Sequence, residues 1–159
     1  MAQPEKYSKV QIALHWGIAG LMVISFFSSD AMSAAWRALM KTGTVEPTLG
    51  VRVHVVIGAL VLALVVLRLV MRKVQGVPDP IKTGKPLQDR LAQVIHIGLY
   101  LCMLAIPVAG LSAWFGGVKL AAEAHEVLFN IGIAFVILHV AAALMHQFVL
   151  KDNLMARMK

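Results

Sequence analysis

The chain has 159 residues, of which 59% are hydrophobic and 14% charged, with a formal net charge of +7. A water-soluble domain carries about 25% charged residues, so the composition argues against a dissolved monomer and for a chain in lipid. The basic residues lie between long apolar runs and form no stripe of their own, which favours a membrane over nucleic acid as the reason for the positive charge. The single cysteine, Cys102, excludes an intrachain disulfide and a cysteine-ligated iron–sulfur cluster. It reads as a small apolar filler.

Crossing a hydrocarbon layer of about 30 Å takes about 20 apolar residues in a helix. The first such run covers about 10–27; it is as long as a span and lacks a small-residue cleavage site, so no cleavable signal peptide is expected. An amphipathic stretch with Trp36, Arg37 and Lys41 follows over 28–50, and a second apolar run covers about 51–70. A connector over 72–90, rich in Lys, Pro and Gly, leads to a third run at about 91–115, in which Pro107 predicts a kink. A short link over 116–124 precedes the last run, about 125–150. Trp16, Trp114 and Phe115 fall near the ends of these runs, where aromatic belts form. No connector is long enough to fold alone. Residues 1–159 are therefore predicted to form one domain, an all-α integral membrane four-helix bundle.

Basic residues set the orientation. The N-terminus, the second connector and the C-terminus, with the adjoining helix ends, hold Lys6, Lys9, Arg68, Arg72, Lys73, Lys82, Lys85, Arg90, Lys151, Arg157 and Lys159. The other side holds Arg37, Lys41, Arg52 and Lys119. Eleven against four predicts that both termini are cytoplasmic.

Six histidines, His15, His54, His96, His125, His139 and His146, all lie in or at the edge of an apolar run. Ionisable groups there are usually functional, although any one of them could serve a helix–helix hydrogen bond or an interface. Depth and helical phase sort four into couples. His54 opens the second run and His125 the fourth, both at the outer side. His15 and His139 lie roughly 8 and 9 Å below the inner edge at 1.5 Å per residue. His125 and His139 are 14 residues apart, about 40° short of a whole number of turns, so one helix presents both on nearly one face about 21 Å apart. Imidazole is a common iron ligand, and cofactor sites in bundles are built from facing helices. Haem suits these apolar surroundings better than a bare divalent ion, because no acidic residue lies deep in any run. Gly17, Gly20, Gly58 and Gly132 lie near these histidines and allow close approach of a flat ring, or equally ordinary small-residue packing. Arg68 and Arg72, one turn apart, suit a haem propionate or a snorkelling anchor at the inner side.

Read in order, Tyr7-Ser8, Gln11-Ile12, His15-Trp16, Val53-His54, Gly58, Arg68, Arg72, His96, Ala105-Ile106-Pro107-Val108 and Gly110-Leu111 form a recurring pattern. It continues with His125-Glu126, Gly132, His139, His146 and Lys151-Asp152-Asn153. This pattern resembles the bacterial cytochrome b561 family, and more distantly the di-haem cytochrome b subunits of membrane formate dehydrogenases and nickel–iron hydrogenases. The resemblance implies two haems b, the outer on His54 and His125 and the inner on His15 and His139, the same couples that depth and phase give. It also implies a ubiquinone head group near the inner boundary, where His96, His146 and Lys151 stand as contacts, unless these are interfacial residues touching water or lipid.

Iron held by two histidines has no free coordination position, so such sites pass electrons and do not activate oxygen. The family includes superoxide oxidases, which imply a small-anion donor outside, ubiquinone inside and a bacterial inner (plasma) membrane location. Arg52, Lys119 and Lys41 would then raise the positive potential on the donor side, or merely anchor helix ends. Two other functions stay open: a membrane-anchor cytochrome b subunit docked to a larger redox partner protein, and, less favoured for want of deep carboxylates, a metal-ion transporter.

Overall fold

Hydropathy marks four spans; the structure, a computed structural model describing residues 4, 6–80 and 84–158, holds five α-helices among these residues. They are α1 (Lys9–Phe27), α2 (Ser29–Thr42), α3 (Leu49–Gln75), α4 (Pro86–Gly116) and α5 (Lys119–Leu144). A π-helical turn, Met145–Leu150, and a 3₁₀ turn, Leu154–Met158, complete the chain. Four of the helices, α1, α3, α4 and α5 with its π turn, are long and apolar enough to cross a membrane. Lys82 and Lys159, which entered the charge count, lie outside the described residues.

Local chemistry fixes the helix ends. Ser8 and Gln11 form a capping box at the start of α1, each side chain accepting from the other's backbone N–H. Thr48 caps α3 through its hydroxyl, and Pro86 starts α4 where a missing N–H does no harm. The link between α4 and α5 is only Gly117 and Val118, and Gly117 holds φ at 64°, a left-handed turn that glycine takes without strain.

Two expectations need correcting. The 28–50 stretch is not a plain connector, because residues 29–42 form α2. The fourth helix starts at Lys119 and not near His125. Lys119, Glu123 and Glu126 lower the hydropathy of that segment, yet its Lys, Leu, Ala and Glu are strong helix formers, so it is helical outside the apolar run. Hydropathy reports which part of a helix suits lipid, and propensity reports how far the helix continues.

Packing follows chain order: α1 lies on α3, α3 on α4 and α4 on α5, with α2 folded across the start of α3. Ile18, Val61 and Val65 form the buried seam of α1 and α3, joined by Leu21, Met22, Tyr100, Met103 and Leu104. Most other large apolar side chains, such as Val23, Val56, Leu101 and Ile137, are exposed, as befits helices that face lipid. The α5 backbone packs on α4 and stands off from α1 and α3. That interval positions the site.

Candidate functional site

Four histidine rings reach across the interval between α5 and the α1–α3 pair. At the end that carries both chain termini, His15 and His139 have ring centres 6.2 Å apart at an interplanar angle of 71°. At the opposite end, beside α2, His54 and His125 are 6.3 Å apart at 68°. Each lies five or six residues from its helix end, counted from Lys9, Leu144, Leu49 and Lys119. The rings are therefore about 8–9 Å inside those ends. His54 and His125 do not open their helices, as the hydropathy suggested, but stand five and six residues within them.

The α2-end pair is anchored by its second ring nitrogens. The chain breaks between α1 and α2 at Ser28, which leaves the last α1 carbonyls without helical partners. The Ser25 carbonyl receives the Ser28 hydroxyl at 2.9 Å and stands 3.1 Å from His54 Nδ1. Ser28 Oγ is itself 3.1 Å from the same nitrogen. Across the interval, His125 Nδ1 donates to the Ile106 carbonyl of α4 at 2.7 Å. Gly110 makes room for that ring, since an added Cβ would come within 2.9 Å of His125 Nδ1 and Cε1. Donation from Nδ1 leaves Nε2 as the basic nitrogen, the one able to ligate a metal.

The terminal-end pair is built differently. Among the described residues no hydrogen bond engages the ring nitrogens of His15 or His139; their contacts are ring edges. Trp16 packs on His15 at 5.1 Å, and His96 of α4 packs on His139 at 5.2 Å and 85°. His96 Nδ1 donates to the Ala92 carbonyl at 2.6 Å.

The remaining residues singled out in the sequence fall into three places. Arg68 donates to the Gln11 carbonyl at 3.0 Å and to the Tyr100 hydroxyl at 3.1 Å, and the Arg72 guanidinium lies 5.9 Å from the Tyr100 ring centre. With Tyr7, Gln11 and Val77 they line one cleft at the terminal end. His146, on the π turn, hydrogen-bonds through Nδ1 to Asp152 at 2.5 Å, and Lys151 is exposed with a left-handed backbone. Arg52, whose Nε donates to the Pro47 carbonyl, and Lys119 and Lys41 are all exposed at the α2 end. Among the described residues no three His, Cys, Asp or Glu side chains converge as a bare ion would require.

Sequence reasoning gave no role to Ser25, Ser28 or Tyr100, and placed Gln11 and Gly110 only within a pattern. Gln11 is 4% exposed, and its Nε2 donates to the Gly76 carbonyl at 2.9 Å, tying α1 to the end of α3. Its spacing of three from Ser8 is a readable capping signal. The others had none, because their partners are remote in sequence.

Residues 6–159 match the family described as prokaryotic cytochrome b561. Among curated proteins, the chain is 38% identical to cytochrome b562 of Cereibacter sphaeroides, over 99% of this chain and 98% of that protein. It is 29% identical to the probable superoxide oxidase CybB of Yersinia pestis, covering 97% and 96% of the two chains. Cytochrome b561 homolog 1 of Escherichia coli K12 is 27% identical, with 96% of each covered. With four membrane-crossing helices and a match along nearly its whole length, the chain belongs to the prokaryotic cytochrome b561 family of haem b membrane proteins that transfer electrons.

Proposed function

We propose that this chain conducts electrons across the bacterial inner membrane through two haems b, from superoxide on the periplasmic side to ubiquinone, with both termini in the cytoplasm. The observation that carries the reading is the separation of the two ring couples. An imidazole nitrogen lies about 2 Å from a bound metal and about 1.1 Å from its ring centre, so two imidazoles on opposite sides of one metal place their centres about 6.3 Å apart. The observed 6.2 and 6.3 Å fit that requirement. His96, at 5.2 Å and edge-on to His139, does not. This fit supports reading His15 with His139 as the ligands of an inner haem and His54 with His125 as those of an outer one.

Haem held by these histidines would supply a one-electron redox couple at each of the two levels. The protein's part is to hold four imidazoles at two depths and exclude water with the apolar surfaces of α1, α3 and α5. Gly58, one turn beyond His54, has no protein atom within 4 Å of an added Cβ, which leaves its face of α3 flat beside that ligand. Arg68 and Arg72, beside Tyr100 at the terminal end, are the candidates to pair with haem propionates. His96, in contact with the inner couple, is the first choice for a quinone contact, with His146 and Lys151 further out. Arg52 and Lys119 provide positive charge on the donor side.

A reduced-minus-oxidised spectrum with haem quantitation on purified protein tests the reading. Two protohaems per chain are expected; replacing His54 or His125 by Ala removes one, and replacing His15 or His139 removes the other. Supplying superoxide and following ubiquinone reduction tests the donor. A colourless wild-type chain would sink the whole proposal; a coloured chain inert to superoxide would sink the donor alone.

A further inference from the structure

We infer that the surroundings of the two histidine couples hold the outer site at a lower reduction potential than the inner, so that an electron runs downhill from His54–His125 to His15–His139. This rests on the ligand assignment and the direction of flow proposed above, and adds a cause for that direction in the residues around each couple. Three features carry it. First, both outer ligands have Nδ1 against carbonyl oxygens, of Ser25 at 3.1 Å and Ile106 at 2.7 Å. Such bonds make an imidazole more basic and a stronger donor to iron, which favours the oxidised state. Second, neither inner ligand has such a bond among the described residues; edge contacts from Trp16 and His96 take their place. Third, the Arg68 guanidinium is held by the Tyr100 hydroxyl and by the Gln11 carbonyl, one helical turn before His15 on α1, so a cation is fixed at the end of the bundle that carries the His15–His139 couple. A permanent cation in a water-poor site favours the state with the added electron.

The break at Ser28 is what supplies the outer acceptor. An uninterrupted α1 would have committed the Ser25 carbonyl to the N–H four residues on. Ser28 Oγ, also 3.1 Å from His54 Nδ1, adds a second acceptor and makes Ser28 a positioning residue for the outer ligand. One electron leaves the reduced outer site and one enters the oxidised inner site. No further reactant is needed.

Potentiometric titration of the purified holoprotein, followed in the haem absorption bands, tests this. His15→Ala should leave a single haem titrating at the lower potential, and His54→Ala a single haem titrating at the higher. In the two-haem protein, Arg68→Gln should lower the higher midpoint only, Arg68→Lys should restore part of the shift, and Ser28→Ala should raise the lower midpoint only. An outer midpoint equal to or above the inner, or an Arg68→Gln shift that is absent or common to both sites, overturns the inference while leaving the ligands intact. Retention of both haems in His54→Ala would instead overturn the ligand assignment, and this inference with it.

Discussion

An imidazole becomes a defined ligand only when its ring is prevented from turning, and here single residues do that. Gly110 is the sharpest case: its missing side chain lets the His125 ring lie against α4 and reach the Ile106 carbonyl. Gly110→Ala puts a methyl within 2.9 Å of that ring. Overpacking of this kind costs about 1–3 kcal/mol, and here the yielding group would be the ligand itself. The expected outcome is selective loss of the outer haem, seen as a haem-to-protein ratio falling from two towards one while the inner spectrum persists. Of the four glycines that the sequence placed near the histidines, Gly17, Gly20, Gly58 and Gly132, only Gly132 is closely packed, against Ile106 and Cys102, where it serves helix contact. Gly17 and Gly20 have no neighbour within 4 Å of an added Cβ.

Helix ends, more than helix bodies, set the chemistry at the level of elements. The break after α1 frees the carbonyl that anchors His54, and the last turn of the final span reverses the chain. There, Asp152 takes His146 Nδ1 with one oxygen and the Leu154 N–H with the other, at 2.5 and 3.1 Å. The 3₁₀ turn then returns across the bundle end, where the Trp16 indole donates to the Met158 carbonyl and Arg157 to that of Asp79. Hydrogen bonds to a charged group contribute about 1.5–3 kcal/mol. Asp152→Ala should therefore loosen this segment and speed tryptic cleavage after Lys151 by roughly tenfold or more. An unchanged cleavage rate would show that Asp152 does not hold the reversal.

For the whole molecule, lipid replaces water as the reference solvent, and most of its apolar surface needs no burial in protein. The bundle can therefore keep α5 apart from α1 and α3, with histidine rings bridging the interval, where a soluble bundle would close it. Charge acts at the same scale. Arg52 and Lys119 are exposed at the α2 end, on the side assigned to superoxide. Replacing both by Gln should slow superoxide-driven ubiquinone reduction on the order of tenfold at low ionic strength and flatten its salt dependence. Equal rates and equal salt slopes in variant and wild type would remove steering from the account.

Hydropathy and helical period determined a great deal without any structure: four spans, the depth of His15 and His139, and the shared face of His125 and His139. These are local properties, set by which residues follow one another along a helix, and a linear code carries them directly. The start of α5 and the presence of α2 were missed because polar residues with high helix propensity look like connectors to a hydropathy scan. The tertiary structure alone decided that the Ser25 and Ile106 carbonyls anchor His54 and His125, that Arg68 is braced by Gln11 and Tyr100, and that His96 touches His139. Each of those contacts joins groups on different helices, through a carbonyl, a hydroxyl or a ring edge. No spacing rule reports such partners, because they exist only once the helices have docked.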